Sequence, residues 1–209
     1  MKIGLINGTP KFKDSASMVL MNDFKPYLAQ NEIVEIEAHR NALSESQITM
    51  IRECDALVFF FPLYVDGIPS HLLSCLSQLE ILFILHPQPI HVYAVCNNGF
   101  YDGSQNYLAL KIMELWCKRC ELIWGQGIGF GGGGMIQAIA KVSPGKGPKK
   151  NLGKAYEQLS DNILNQRSAE NIFTNANFPR FLYKMMAEMG WRRQAKKNGL
   201  HKGELGKPY

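Results

Sequence analysis

Apolar runs of strand length alternate along the chain with stretches whose apolar positions recur at helical spacing. Ile3 to Ile6, Ala56 to Phe61 and Ile90 to Cys96 are near-continuous apolar runs, the mark of strands covered on both faces. The stretch 32–38 interleaves Ile33 and Ile36 with Glu35 and Glu37 and reads as an edge strand. Five strands are expected, at 2–7, 32–38, 56–62, 90–97 and 121–130. Between them, 17–28 carries Val19, Leu20, Phe24, Tyr27 and Leu28 at helical spacing, with Pro26 ending or kinking the helix. Ser44-Glu-Ser-Gln47 is a capping box that opens a short helix to about residue 53. Stretch 72–85 is apolar nearly all round. Stretch 104–120 places Leu108, Ile112, Leu115 and Trp116 on one stripe, expected to face the core. Further helices are expected at 152–166 and 181–198.

Strands alternating with helices in this way imply a doubly wound α/β fold with a parallel sheet. Ligands of such sheets sit beyond the carboxyl ends of the strands, where strand order reverses. That singles out the loops after strands 1, 3 and 4. At 209 residues there is room for one such domain, expected at 1–168, and a helical extension over 169–209.

Composition narrows the class only modestly. With 46% apolar and 20% charged residues the chain reads as an ordinary soluble protein. No apolar run is long enough for an integral membrane segment, and the first residues lead straight into a strand pattern without signal-peptide anatomy; a cytoplasmic location is expected. The five scattered cysteines suit reduced thiols. The net charge of +5 is concentrated in the extension, where eight basic residues from Arg180 onward face only Glu188 and Glu204. The apolar positions of that last helix are expected to dock on the body or on a second subunit, ahead of any nucleic-acid role.

The richest chemistry lies after strand 1. Asn7-Gly8 ends the strand, and Thr9, Ser15 and Ser17 follow before a helix start at Met18-Val19-Leu20. Strand, hydroxyl-rich turn and helix N-terminus together aim N–H and O–H donors at one point, an arrangement suited to a compact terminal phosphate such as that of FMN. Neither G-x-G-x-x-G nor G-x-x-x-x-G-K-[ST] is present. An ordinary loop in which Ser15 or Ser17 caps the helix fits the same residues. After strand 3, Pro62 and Pro69 bracket Leu63, Tyr64, Val65, Asp66 and Gly67, with Gly67 expected to supply a backbone turn closed to other residues. Asn97, Asn98, Gly99 and Phe100 follow strand 4. Tyr64 and Phe100 are candidates to flank a planar ring.

Other motifs carry less. Cys117-Lys-Arg-Cys120 continues an apolar stripe and reads as core packing. His86 and His91 lack the companions of a metal site. The seven glycines among residues 125–134, ending in Gly131-Gly-Gly-Gly134, suggest close backbone packing or a mobile loop near the ligand. No Ser/His/Asp constellation points to hydrolysis.

Residues 1 to about 135 resemble the NAD(P)H-dependent FMN reductases of the flavodoxin-like superfamily. The resemblance is carried by Gly8-Thr9-Pro10-Lys11 with Ser15-Ala16-Ser17, and by Pro62-Leu63-Tyr64 followed by Gly67-Ile68-Pro69. Lys11 stands where the family usually has Arg, and Ala16 where it often has Asn; Lys keeps the charge and loses the bidentate fork. The resemblance implies a flavodoxin-like five-stranded sheet of order 2-1-3-4-5. It implies an FMN phosphate held by Thr9, Lys11, Ser15, Ala16 and Ser17. It also implies a flavin edge shaped by the backbone of Pro62, Leu63, Tyr64, Val65, Asp66 and Gly67 and of Asn97, Asn98, Gly99 and Phe100. NADPH or NADH would be the co-substrate, a quinone, nitro or azo compound, flavin or ferric complex the small-molecule electron acceptor, and a homodimer the assembly. The cofactor carries such chemistry, so no catalytic acid–base pair and no metal are expected. Two other functions use the same fold, a flavodoxin-type electron carrier without NAD(P)H activity and a flavin-free interaction scaffold.

Overall fold

The computed structural model describes residues 1–200, and the chain divides into two units, Met1–Asn177 and Phe178–Tyr209. The first is a parallel sheet of six strands: β1 (Lys2–Asn7), β2 (Glu32–Glu37), β3 (Ala56–Pro62), β4 (His91–Asn97), β5 (Ile123–Gly131) and β6 (Ile172–Asn175). Their order is β2-β1-β3-β4-β5-β6, with every neighbouring pair parallel. The expected order holds for five strands, and the sheet gains a sixth. Residues 169–177, expected in the extension, belong to the sheet unit. Four residues with Thr174 and Asn175 among them give little apolar signal, so β6 was not legible as a strand.

Helices follow most of the strands: α1 (Ala16–Phe24), α2 (Glu45–Arg52), α3 (Ser70–Leu85), α4 (Tyr107–Arg119), α5 (Gly133–Ile136) and α6 (Lys150–Leu164). Pro26 acts as expected: α1 stops at Phe24 and one turn of 3-10 helix carries the chain to Leu28. The capping box of α2 is formed in both directions. The Gln47 N–H donates to Ser44 Oγ at 3.3 Å, and the Ser44 N–H donates to Gln47 Oε1 at 2.9 Å.

The core lies on both faces of the sheet. Ile3, Leu5, Val58, Phe59, Phe60, Val95 and Phe130 are fully buried, which explains why β1, β3 and β4 read as continuous apolar runs. The stripe of α4 differs from expectation. Ala109, Leu110, Met113, Trp116 and Cys117 face the core, while Leu108, Ile112 and Leu115 are exposed. Two apolar faces compete on this helix, and the one that buries Trp116 against Phe59 and Phe83 wins. The five cysteines are free and buried. Burial lifts the thiol of Cys54 to about 11 and that of Cys120 to about 12, so neither is a ready nucleophile.

The glycines of β5 pack rather than flex. A Cβ on Gly125 would lie 2.2 Å from the Tyr93 ring, and one on Gly131 would lie 2.1 Å from the Tyr101 carbonyl oxygen. The second unit contains α7 (Arg180–Lys197), which ends at Asn198 with Gly199 in the left-handed region. Among the described residues no helix is long and apolar enough to cross a membrane.

Candidate functional site

The carboxyl ends of β1, β3 and β4 are tied together by main-chain and side-chain hydrogen bonds, and Asn97 is where they meet. Its carbonyl accepts from the Leu63 N–H at 2.7 Å. Its side-chain Oδ1 accepts from the Ser17 hydroxyl at 2.9 Å. The Gly8 N–H donates to the Phe60 carbonyl at 2.8 Å, closing the third side. Asn97 is buried and ends a strand whose next residues turn away, so a side chain long enough to reach α1 settles there.

The loop between β1 and α1 forms a lined turn. Ser15 caps the helix, its Oγ accepting from the Met18 N–H at 3.1 Å. Thr9 Oγ1 accepts from the Lys11 N–H at 3.4 Å, and Asn7 Oδ1 accepts from the Thr9 N–H at 3.4 Å. Thr9, Ser15 and Ser17 are buried, Ala16 is half-buried and Lys11 is exposed. Capping and phosphate binding are therefore not exclusive: Ser15 accepts in the cap and keeps its hydroxyl proton to donate, as does Thr9. Ser17 gives its proton to Asn97 and offers only its backbone.

The donor set fits a terminal phosphate. The N–H groups of Ala16 and Ser17 stand at the first two helical positions, where no intrahelical carbonyl reaches them. Beside Thr9, Nδ2 of buried Asn7 has no partner. Lys11 and Lys13 outweigh Asp14 in charge. Donors without acceptors, a helix N-terminus and a positive rim are what a dianion requires.

The loop after β3 corrects one expectation. Tyr64 and Gly67 exchange hydrogen bonds in both directions at 3.0 Å, forming a two-residue hairpin. The left-handed residues are Val65, with φ 48°, and Asp66, with φ 58°. Gly67 is not among them, and a Cβ there would meet nothing closer than 3.9 Å. A β-branched residue in the left-handed region is strained, and Val65 is also fully exposed. Pro62 pairs with Asn97 in register, Tyr64 is 43% exposed and Phe100 is 60% exposed, so both aromatics have faces free for a ligand.

Asn98 and Gly99 belong to a loop packed on the end of β5. The Asn98 N–H donates to the Phe130 carbonyl at 3.1 Å, and the Gly133 N–H donates to the Asn98 carbonyl at 2.8 Å. A Cβ on Gly133 would lie 2.6 Å from that carbonyl, which explains part of the glycine run. Asn98 Oδ1 is buried without a partner, while Gly99 is exposed.

Several residues that hold the site gave no clear signal in the sequence. His39 sits 2.7 Å from the Thr9 carbonyl through Nδ1 and 2.7 Å from the Glu37 carboxylate through Nε2. Phe12 packs on it with ring centroids 4.9 Å apart. His71, near the start of α3, bonds the Gly8 backbone; burial depresses its basicity, with that bond pulling the other way. Gln137 donates to the Asp14 carbonyl. Fully buried Lys149 reaches the Asp23 carboxylate at 2.6 Å, tying the segment after α5 to α1. Burial raises the Asp23 carboxyl, against the lowering effect of Lys149. Asn7, by contrast, had a legible sign in the sequence, a polar residue that abruptly ends an apolar run.

No family model matches the sequence, and no curated protein matches it. Solved structures do. An NADPH-quinone reductase from P. pentosaceus has a TM-score of 0.58 at 14% identity, covering 77% of this chain and 98% of that one. A flavodoxin, WrbA-like protein from Agrobacterium tumefaciens has a TM-score of 0.56 at 13% identity, covering 80% and 99%. An FMN-dependent NADH-azoreductase from Bacillus anthracis, solved in complex with FMN, has a TM-score of 0.55 at 13% identity, covering 78% and 99%. At such identities the likeness is one of architecture, and the chain has the flavodoxin-like α/β fold.

Proposed function

We propose that this chain is an FMN-dependent NAD(P)H oxidoreductase whose flavin site is the cluster of loops gathered by Asn97. The observation that carries the reading is that one buried residue, Asn97, holds the helix of a phosphate-suited turn through its side chain and the loop after β3 through its carbonyl. FMN, when bound, supplies two-electron acceptance from NADPH or NADH and donation to a quinone, nitro or azo compound, flavin or ferric complex. The names of the similar structures, a quinone reductase and an azoreductase among them, support this class of chemistry.

The chain's own residues bind and orient. Thr9 and Ser15 donate hydroxyl protons to the phosphate, Ala16 and Ser17 donate backbone N–H groups, and Lys11 balances charge from the rim. Pro62 to Gly67 and Asn97 to Phe100 form the edge against which the ring lies, with Tyr64 and Phe100 covering it from water. Cytoplasmic location and the homodimer remain part of the proposal. The dimer is supported by a face of α3 and α4 on which Leu73, Ile81, Ile84, Leu85 and Leu115 are exposed. Outside α7, basic and acidic residues balance, so the rest of the chain lacks the net acidity that would favour an electron carrier, which supports the reductase.

The test is FMN uptake by the purified chain, followed by flavin fluorescence. Lys11→Glu, at an exposed position, should weaken uptake by at least about tenfold through charge reversal at the phosphate. Unchanged affinity in that variant would remove the phosphate from this turn.

A further inference from the structure

The formal net charge of the chain is +5, and α7 alone carries all of it: Arg180, Lys184, Arg192, Arg193, Lys196 and Lys197 stand against Glu188. The apolar residues of the first half of the helix are also ordered, with Trp191 on the opposite side further on. At 3.6 residues per turn, Phe181, Leu182, Met185, Met186 and Met189 fall on one side over the first half. Arg192, Arg193, Lys196 and Lys197 continue that side over the last two turns. One side of the helix is therefore apolar and then cationic. No residue of α7 is buried, and Phe181 is 72% exposed. An apolar stripe of this length, not covered within its own unit, marks an interaction surface.

We propose that α7 docks the protein on the surface of an anionic lipid bilayer, independently of what the sheet unit binds. Phe181, Leu182, Met185, Met186 and Met189 enter the boundary between headgroups and acyl chains, while the four cations of the last two turns lie on lipid phosphates. Charge and hydropathy together select this partner. A nucleic acid offers phosphates but no apolar phase for the first half of the helix. A second copy offers apolar surface, but its surplus charge has the same sign, and the rest of it is balanced. A bilayer rich in anionic lipid presents both an apolar phase and negative charge. The helix lies on that surface and does not span it, since it is too charged to cross.

The experiment is co-sedimentation of the full-length protein with vesicles containing phosphatidylglycerol and, separately, with vesicles of phosphatidylcholine alone. Binding should be about tenfold tighter to the anionic vesicles and should fall as salt screens the cations. Met185→Ser/Met186→Ser and Lys196→Glu/Lys197→Glu should each weaken it by about tenfold, one through the apolar stripe and the other through charge. Both variants should keep the wild-type circular dichroism and FMN uptake, which separates a failure here from a failure of the flavin reading. Equal binding to both vesicle types, or variants that bind as tightly as wild type, would overturn the assignment. So would a Met185→Ser/Met186→Ser protein that sediments as monomer in the absence of lipid where wild type is a dimer, because the stripe would then belong to a second copy.

Discussion

At the scale of single residues the account turns on Asn97. Its buried side chain holds the Ser17 hydroxyl, so Asn97→Ala leaves a buried donor unsatisfied and frees α1 from β4. The expected cost is about 1–3 kcal/mol, read from urea unfolding. Loss of FMN uptake should accompany it, since the phosphate turn and the ring edge are no longer tied together. The sequence made Asn97 visible as a polar end to an apolar strand, and Ser17 as a helix-start hydroxyl. It did not show that they bond to each other, because a contact across 80 positions leaves no periodicity behind. His39 was invisible for the same reason: a lone histidine after an edge strand looks like a loop residue until Thr9 and Glu37 are seen on either side of it.

At the scale of elements, the hairpin after β3 and the strap that Lys149 makes onto α1 through Asp23 show how local pattern and tertiary demand diverge. Two prolines and a glycine announced a tight turn, and a tight turn is there. The choice of left-handed residues followed the geometry of a type I′ two-residue hairpin, which requires positive φ at both central positions and so assigns it to Val65 and Asp66. Val65→Gly should therefore stabilise the fold, by about 1 kcal/mol in urea unfolding, by relieving the Cβ of that conformation. A destabilised variant would mean that Val65 is held by packing instead of tolerated under strain. The strap gives an opposite expectation. Lys149→Met strands the largely covered Asp23 carboxylate and should cost about 3 kcal/mol, whereas adding Asp23→Leu should recover much of the loss. A double variant no more stable than the single would show that the pair is worth more than its packing. Strand β6 and the buried face of α4 were hidden because weak or duplicated apolar patterns are resolved only by what the rest of the sheet leaves open.

For the whole molecule, alternation of strands and helices was enough to give a doubly wound parallel sheet, though not its sixth strand, since both-sided burial writes continuous apolar runs into a sequence. Stability should carry a histidine signature. Burial depresses the basicity of His71 and His91 below the ordinary 6.5. Their contribution is thus complete above that value and is lost as pH falls through their lower native values. The urea midpoint should fall between pH 7 and 5, and the fall should be shallower in a His71→Asn/His91→Asn variant. Identical slopes would assign the change to carboxylates.

The central claim is that the loops at the carboxyl edge of this sheet hold a flavin that NAD(P)H can reduce. The most direct measurement is the visible spectrum of the protein loaded with FMN, titrated with NADPH and then with NADH in the absence of oxygen. The account requires flavin bands that bleach in proportion to added nucleotide and return when a quinone is supplied. A protein that takes up no FMN, or whose bound flavin neither nucleotide bleaches, would contradict it.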